Sequence, residues 1–173
     1  PIREAIRKLE LEGLVVMVPR KGAEVADITE KDLRDVLEVR TALEELSIEL
    51  AMKNMNDDDY KQLAEANKLF AKDSEGDDLI KIAEADVAFH ELMYMATGNK
   101  RLIQMINNLR EQMYRYRLEY IKDKSTHARL VDEHNRIIDA MVKNDVAAAK
   151  AAIKLHVENQ EENILKSIKV KKA

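Results

Sequence analysis

Four side chains with metal-binding atoms are spaced along the sequence in a way that predicts one shared site. Asp86 and His90 are four residues apart, and His134 and His156 follow further along the chain. At 100° per residue, Asp86 and His90 lie about 40° apart on the same face of a helix. The apolar residues of that face are Leu79, Ile82, Phe89 and Met93. A carboxylate and an imidazole therefore share the centre of a face that should point into a core.

The other two histidines also lie on apolar helix faces. Their apolar neighbours are Leu130, Val131, Ile137, Ile138 and Met141 around His134, and Ala149, Ala152 and Ile153 around His156. Burying a polar group without a partner costs ~1–3 kcal/mol, and a buried unpaired carboxylate costs more. One interpretation is a purely structural bundle in which each group is hydrogen-bonded separately. The other is one divalent cation bound by all four groups, which accounts for them together.

The donor set limits the metal. Imidazole and carboxylate donors without sulfur suit Zn, Ni, Mn, Fe or Co, of which we expect one ion of Zn, Ni or Mn. The fourth histidine, His127, stands beside Ser125 and Thr126 near a predicted helix start, and we expect it to be exposed.

Familiar metalloenzyme motifs do not match the sequence. Tyr94 stands where a zincin helix would have its second His after His90-Glu91, and no Glu precedes a His by three residues. The alternative of a mononuclear metal hydrolase needs a general base, and Glu133 or Asp132 would have to serve. Glu133 adjoins His134 and so points about 100° away from it, which disfavours that role.

Several residues could bind the carboxylate of a small molecule. Arg40 lies on an apolar helix face, where it either pairs with Glu44 one turn away or holds a carboxylate with two hydrogen bonds. Arg110 lies near the edge of the apolar face of the fourth predicted helix and is a weaker candidate, as are Arg117 and Tyr114 near the same edge. Asn163, on the face of His156, is another.

Length and composition place these residues in one domain with a small additional piece. The chain has 173 residues, no Cys and a net charge of −4. The absence of Cys excludes disulfide scaffolds and thiolate sites. The longest apolar run, residues 14–18, is far shorter than the ~20 residues of a membrane span. No signal peptide pattern is present, so we expect a cytoplasmic protein without a membrane partner. Because the chain starts at Pro1, we expect a piece of a longer protein.

Glycine and proline divide the chain near residue 26. Both Pro and two of the four Gly fall within the first 22 residues, and the rest is rich in helix-forming residues. Cap residues predict helices at 29–54, 56–72, 77–98, 99–122, 125–143 and 145–167. We therefore predict an all-α fold, an antiparallel bundle of about six helices, with domains at 1–26 and 27–173.

The first 26 residues read as a helix followed by a β-hairpin with Arg20 and Lys21 at its tip. Residues 1–26 carry five basic and four acidic side chains, whereas residues 27–163 carry 20 and 29. A solvated turn is one interpretation. The other is the recognition helix and wing of a winged helix-turn-helix, which would contact the major groove and the DNA backbone.

Two stretches of sequence resemble one family of regulators. Residues 1–6 (PIREAI), 9–10, 12–15 and 19–23 (PRKGA) resemble the recognition helix and wing of GntR-family bacterial transcription regulators. The spacing of Asp86, His90, Glu133-His134, Asp145 and His156 resembles the FCD ligand-binding domain of the FadR subfamily. Further matches are Val39-Arg40, Leu43-Glu44, the region of Ala51 and Thr97-Gly98-Asn99. The first helices of the DNA-binding domain are not in the chain.

The resemblance implies a function and its residues. It implies a metabolite-responsive transcription regulator, not an enzyme, that acts as a homodimer on double-stranded operator DNA. The implied DNA contacts are Arg3, Arg7, Arg20 and Lys21, and the implied metal ligands are Asp86, His90, His134 and His156. A small organic acid would bind at or beside the metal and change operator binding, as in a repressor.

Overall fold

A computed structural model describes the backbone of residues 1–172 and the side chains of residues 1–169. The first segment consists of α1 (Ile2–Leu11), β1 (Val15–Val18) and β2 (Gly22–Val25). The bundle consists of α2 (Glu30–Asn54), α3 (Asp57–Asp73), α4 (Leu79–Ala96), α5 (Lys100–Asn108), α6 (Arg110–Ile121), α7 (His127–Val142) and α8 (Val146–Lys172). A single 3-10 turn, Lys124–Thr126, precedes α7. The predicted all-α fold class is confirmed.

Local sequence signals explain where the bundle helices begin. Thr29 caps α2 by accepting a hydrogen bond from the Asp32 amide, and Asn56 and Asp59 form a capping box at the start of α3. Asp78 and Asn99 accept amide hydrogen bonds in the same way at the starts of α4 and α5. These side chains satisfy amide groups that have no partner within their own helix.

The prediction of a single helix over residues 99–122 was wrong, because the chain forms two helices there. The break is at Leu109, whose amide donates to the Ile106 carbonyl at 3.0 Å in a tighter turn. Leu109 also packs against a small apolar cluster that contains Leu43, Tyr94 and Ile106. No Pro or Gly lies at this break. The chain turns here because of the packing of Leu109, which the local sequence does not indicate.

The β-hairpin is antiparallel, with Val15 opposite Val25 and Val18 opposite Gly22. Arg20 has a φ of 69°, a left-handed conformation that closes the short turn between the strands. No residue of α1 is buried against the rest of the described chain. Two hydrogen bonds from α6 hold the backbone at the residue after α1 and at the residue after β2. Gln112 Nε2 donates to the Glu12 carbonyl, and Arg115 donates to the Ala26 carbonyl.

A polar layer crosses the bundle between two apolar clusters. On α4, Ile82 belongs to one cluster and Phe89 to the other, and Asp86 lies between them. In the same way, His134 on α7 and His156 on α8 each lie between residues of the two apolar clusters. The helices α2, α3, α4, α7 and α8 pack around this layer. No helix in the described part of the chain is long and apolar enough to cross a membrane.

Candidate metal centre

Three helices bring the predicted ligands together at the centre of the bundle. Asp86 and His90 come from α4, His134 from α7 and His156 from α8, and all four are fully buried. One ring nitrogen of each histidine lies within 4.8 Å of the corresponding atoms of the other two. Asp86 Oδ1 lies 3.4 Å from His134 Nε2, and Asp86 Oδ2 lies 4.0 Å from His90 Nε2. The residues singled out by helix periodicity therefore form one cluster.

A buried amide on α3 fixes the tautomer of His134. Asn67 donates through Nδ2 to the Val131 carbonyl and to Asn135 Oδ1, which orients its Oδ1 toward the ring. His134 Nδ1 lies 3.0 Å from that oxygen and must donate its proton to it. Nε2 of His134 therefore carries a lone pair and faces the carboxylate of Asp86.

A carboxylate on α7 fixes His156 in the same way. His156 Nδ1 donates to Glu133 Oε2 at 2.8 Å, and Glu133 Oε1 accepts from Asn159 at 2.7 Å. The lone pair on His156 Nε2 accepts a hydrogen bond from Gln160 Nε2 at 2.7 Å. A cation at this nitrogen would have to displace the Gln160 amide.

His90 is the least constrained of the three histidines. Neither ring nitrogen has a hydrogen-bond partner among the described residues, although both are buried. Its Nδ1 lies 3.6 Å from Glu44 Oε1, which accepts instead from Tyr94 Oη at 2.5 Å and Arg40 Nε at 3.2 Å. Burial lowers the pKa of His90, and it lowers the pKa values of His134 and His156 as well. Neutral imidazole is the form that binds a metal.

Asp86 is held as a carboxylate. Burial alone would raise its pKa, but the Arg117 guanidinium beside it lowers the pKa well below the usual value. Asp86 Oδ2 accepts from Arg117 Nε and from Tyr120 Oη, the latter at 3.0 Å. Asp86 Oδ1 is buried and has no hydrogen-bond partner in the described chain.

The unpartnered atoms of the centre fit a divalent cation. Asp86 Oδ1, His134 Nε2 and both ring nitrogens of His90 are buried without a partner among residues 1–169. Two of them, Asp86 Oδ1 and His134 Nε2, are acceptors that face each other. A cation between these acceptors would satisfy both of them, and three imidazoles with one carboxylate are a ligand set that suits Zn and its neighbours.

The three effector-binding candidates have different surroundings. Arg40 is buried, pairs with Glu44 as one interpretation predicted, and donates to Gln160 Oε1 at 2.6 Å, leaving Nη2 unpartnered. Arg110 is exposed and pairs with Glu91 at 2.7 Å. Asn163 faces Asp123 at 3.4 Å. None of these contacts tests a role in ligand binding, so that role remains a prediction.

A cavity of about 530 Å³ lies between α4, α5 and α6 and reaches His90. Arg110, Tyr114 and Arg117 line it, whereas Arg40 and Asn163 do not. The cavity therefore leads from the surface of the bundle to His90.

His127 and Glu133 are both held by contacts within the bundle. The prediction that His127 is exposed was wrong: it is 5% exposed, and its ring nitrogens contact the carbonyls of Ser74 and Ile121. Ser74 follows α3 and Ile121 ends α6, and the position of neither relative to His127 follows from the local sequence. Glu133 binds His156 and Asn159, so it is not free to act as the base of a hydrolase.

The sequence did not lead us to Asn67 and Tyr120, which contact His134 and Asp86. Asn67 lies four residues after Leu63 and three before Phe70, both fully buried, so its position on an apolar face was a usable signal. Tyr120 gave no such signal, because its contact with Asp86 depends on how α6 packs against α4.

The candidate DNA contacts lie on the surface. Arg3, Arg7, Arg20 and Lys21 are exposed, and none of them forms an ion pair within the described chain. This leaves four cations of residues 1–26 free to meet phosphates.

A helical bundle joined to a short helix and a β-hairpin with exposed cations is an architecture that known transcription regulators share. Residues 35–159 match the FCD domain. The chain is 28% identical over 169 residues to the uncharacterized HTH-type transcriptional regulator YdhC of Bacillus subtilis, covering 95% of this chain and 74% of that protein. It is 28% identical to the HTH-type transcriptional repressor GlaR of Escherichia coli, covering 91% and 75%.

Solved structures share the fold. Escherichia coli McbR/YncC superimposes with a TM-score of 0.84 at 17% identity, covering 95% of this chain and 83% of that one. The metal-free FCD domain of TM0439 superimposes with a TM-score of 0.70 at 18% identity, covering 84% and 99%. The chain belongs to the GntR family of transcription regulators, in the group that carries an FCD domain. It is a regulator and not an enzyme, and a hydrolase function is not favoured.

Proposed function

We propose that this chain senses a small carboxylate through a metal ion in its helical domain and passes the signal to operator DNA. Residues 27–173 form the metal- and effector-binding FCD domain, and residues 1–26 are the C-terminal part of a winged helix-turn-helix. The protein works in the cytoplasm as a homodimer, in which effector binding changes how two DNA-binding units span two half-sites.

The observation that carries the proposal is the set of converging acceptors without partners in the buried centre. Asp86, His90, His134 and His156 would hold one ion of Zn, Ni or Mn. When bound, the metal supplies a Lewis acid that coordinates the carboxylate of the effector. Asn67 and Glu133 keep the histidine lone pairs turned inward, and Arg117 keeps Asp86 charged.

A physical connection to the DNA-binding segment supports the regulatory half of the proposal. Helix α6 lines the cavity through Met113 and Arg117. The same helix donates hydrogen bonds from Gln112 and Arg115 to the carbonyls of Glu12 and Ala26. A ligand that moves α6 would therefore move the contacts that position residues 1–26. Arg3, Arg7, Arg20 and Lys21 would contact the DNA.

Metal analysis joined to thermal unfolding tests the proposal. We expect one equivalent of metal in the purified protein and a lower melting temperature after chelation, since a ligand at 100 times its Kd adds ~2.7 kcal/mol to stability. Readdition of Zn²⁺ should restore the melting temperature. A protein without stoichiometric metal, whose melting temperature does not respond to chelator or Zn²⁺, would refute the metal site.

A further inference from the structure

The cavity between α4, α5 and α6 has a charged inner end. His90, Tyr94 and Arg117 line it there, and all three are buried. Arg117 is 5% exposed and donates through Nε to Asp86, and its guanidinium forms no other hydrogen bond or ion pair within the described chain. Its remaining N–H groups are therefore available to a carboxylate that enters the cavity.

The walls of the cavity are apolar. They are formed mainly by Val87, Ile103, Ile106, Met113 and the ring of Tyr114, together with the amide of Asn107, whose Oδ1 already accepts from Arg110 at 3.1 Å. Such walls offer few hydrogen bonds, those of the Tyr114 hydroxyl and the Asn107 Nδ2, to a ligand that carries several hydroxyl groups. A polyhydroxylated ligand would lose hydrogen bonds to water here without replacing them, whereas a hydrocarbon chain gains from leaving water.

The mouth of the cavity is acidic. Glu84, Glu91 and Glu111 line it together with one cation, Arg110. Arg110 is already paired with Glu91 at 2.7 Å, whereas Glu84 and Glu111 have no ion pair in the described part of the chain. A second carboxylate at the outer end of a ligand would therefore meet like charge.

We infer that this cavity selects a monocarboxylic acid with an apolar body over a sugar acid or a dicarboxylic acid. The carboxylate lies at the inner end beside Arg117, the apolar body follows the walls, and the acidic mouth repels a second carboxylate. The inference rests on the proposed function, of which it specifies the class of effector.

Three acids of six carbons isolate the two selective features. Hexanoate has one carboxylate and an apolar chain, adipate adds a second carboxylate, and D-gluconate adds hydroxyl groups. Isothermal titration of the chain, loaded with one equivalent of Zn²⁺, should give a Kd for hexanoate at least tenfold lower than for either of the others. 1-Hexanol, which lacks the carboxylate, should bind at least tenfold more weakly than hexanoate.

Two further measurements locate the ligand and test the mouth. In NMR spectra of protein labelled with ¹³C-methyl methionine, hexanoate should shift the methyl signals of Met113 and Met95, which line the cavity. The signal of Met105, which is 52% exposed and lies outside the cavity, should not move. The variant Glu84→Gln/Glu111→Gln should bind adipate three- to tenfold more tightly and hexanoate within twofold of the parent chain.

The outcomes separate this inference from the proposed function. Gluconate or adipate binding as tightly as hexanoate would overturn the inference and leave a carboxylate-sensing regulator intact. Hexanoate binding that shifts Met105 and not Met113 would overturn it as well, since the ligand would lie elsewhere. If none of the three acids binds, the inference and the effector half of the proposed function both fail.

Discussion

Asp86 Oδ1 and His134 Nε2 lie 3.4 Å apart, are both buried, and have no hydrogen-bond partner among the described residues. Asn67 accepts the Nδ1 proton of His134, and Arg117 keeps Asp86 ionised, so both facing atoms carry lone pairs. A cation placed between the two atoms would satisfy both of them. The contacts of Asn67 and Arg117 thus give the pair the form that the proposed metal site requires.

Removing one proposed ligand should abolish tight metal binding. His134→Ala and His156→Ala should each lower Zn²⁺ affinity at least 100-fold, because a four-ligand site loses a donor. Competition with a chromogenic chelator measures the affinity. His127→Ala is the matched control, since His127 is also buried but its ring nitrogens contact the carbonyls of Ser74 and Ile121.

The control itself has an expected cost. His127→Ala removes the ring that contacts the buried carbonyl of Ile121 and the part-buried carbonyl of Ser74, and it should lower the free energy of unfolding by ~1–3 kcal/mol, as urea titration would measure. Its metal stoichiometry should stay at one. Equal loss of metal in the His127 and His134 variants would mean that affinity follows general stability and not ligation.

Asn67 should act on the metal through His134. Asn67→Leu removes the acceptor for the Nδ1 proton and should lower Zn²⁺ affinity about 10–100-fold without removing a ligand. Asn67→Asp retains an acceptor and should stay within about fivefold of the parent chain. If the Asp and Leu variants lose affinity to the same extent, the orientation of His134 is not what Asn67 provides.

Gln160 should oppose metal binding. Its amide donates to His156 Nε2 at 2.7 Å, so a metal has to displace this hydrogen bond. Because one hydrogen bond contributes ~0.5–1.5 kcal/mol and 1.4 kcal/mol is tenfold, Gln160→Ala should tighten Zn²⁺ binding about two- to tenfold. Titration calorimetry with competing chelator would detect the change. A weaker affinity would instead make Gln160 part of the metal site.

The basic hairpin makes a prediction for DNA. In the regulator with its entire DNA-binding domain, Arg20→Ala and Lys21→Ala should each weaken operator binding and reduce the salt slope of log K by about 1. Fluorescence anisotropy titrations at salt concentrations from about 50 to about 200 mM measure this slope. Lys61→Ala, an exposed change on α3, serves as the control. An unchanged slope in both hairpin variants would remove them from the interface.

The helical periodicity of the sequence predicts most residues of the candidate metal centre, but it does not predict the residues that contact them. The faces of α4, α7 and α8 follow from the 3.6-residue repeat, so periodicity alone assigns Asp86, His134 and His156 to the core. It does not identify the partners of these residues, because the Asn67 and Arg117 contacts depend on how neighbouring helices are rotated and spaced. The break at Leu109 was missed for a related reason, since it arises from packing.

We propose that Asp86, His90, His134 and His156 hold one metal ion. Anomalous diffraction from crystals of the purified protein, recorded above and below the Zn, Ni and Mn absorption edges, tests it most directly. We predict a single strong anomalous peak between the four side chains, at the edge of one of these metals. Crystals of metal-supplemented protein that show no anomalous peak there, with the histidines instead hydrogen-bonded to protein groups or water, would contradict the claim.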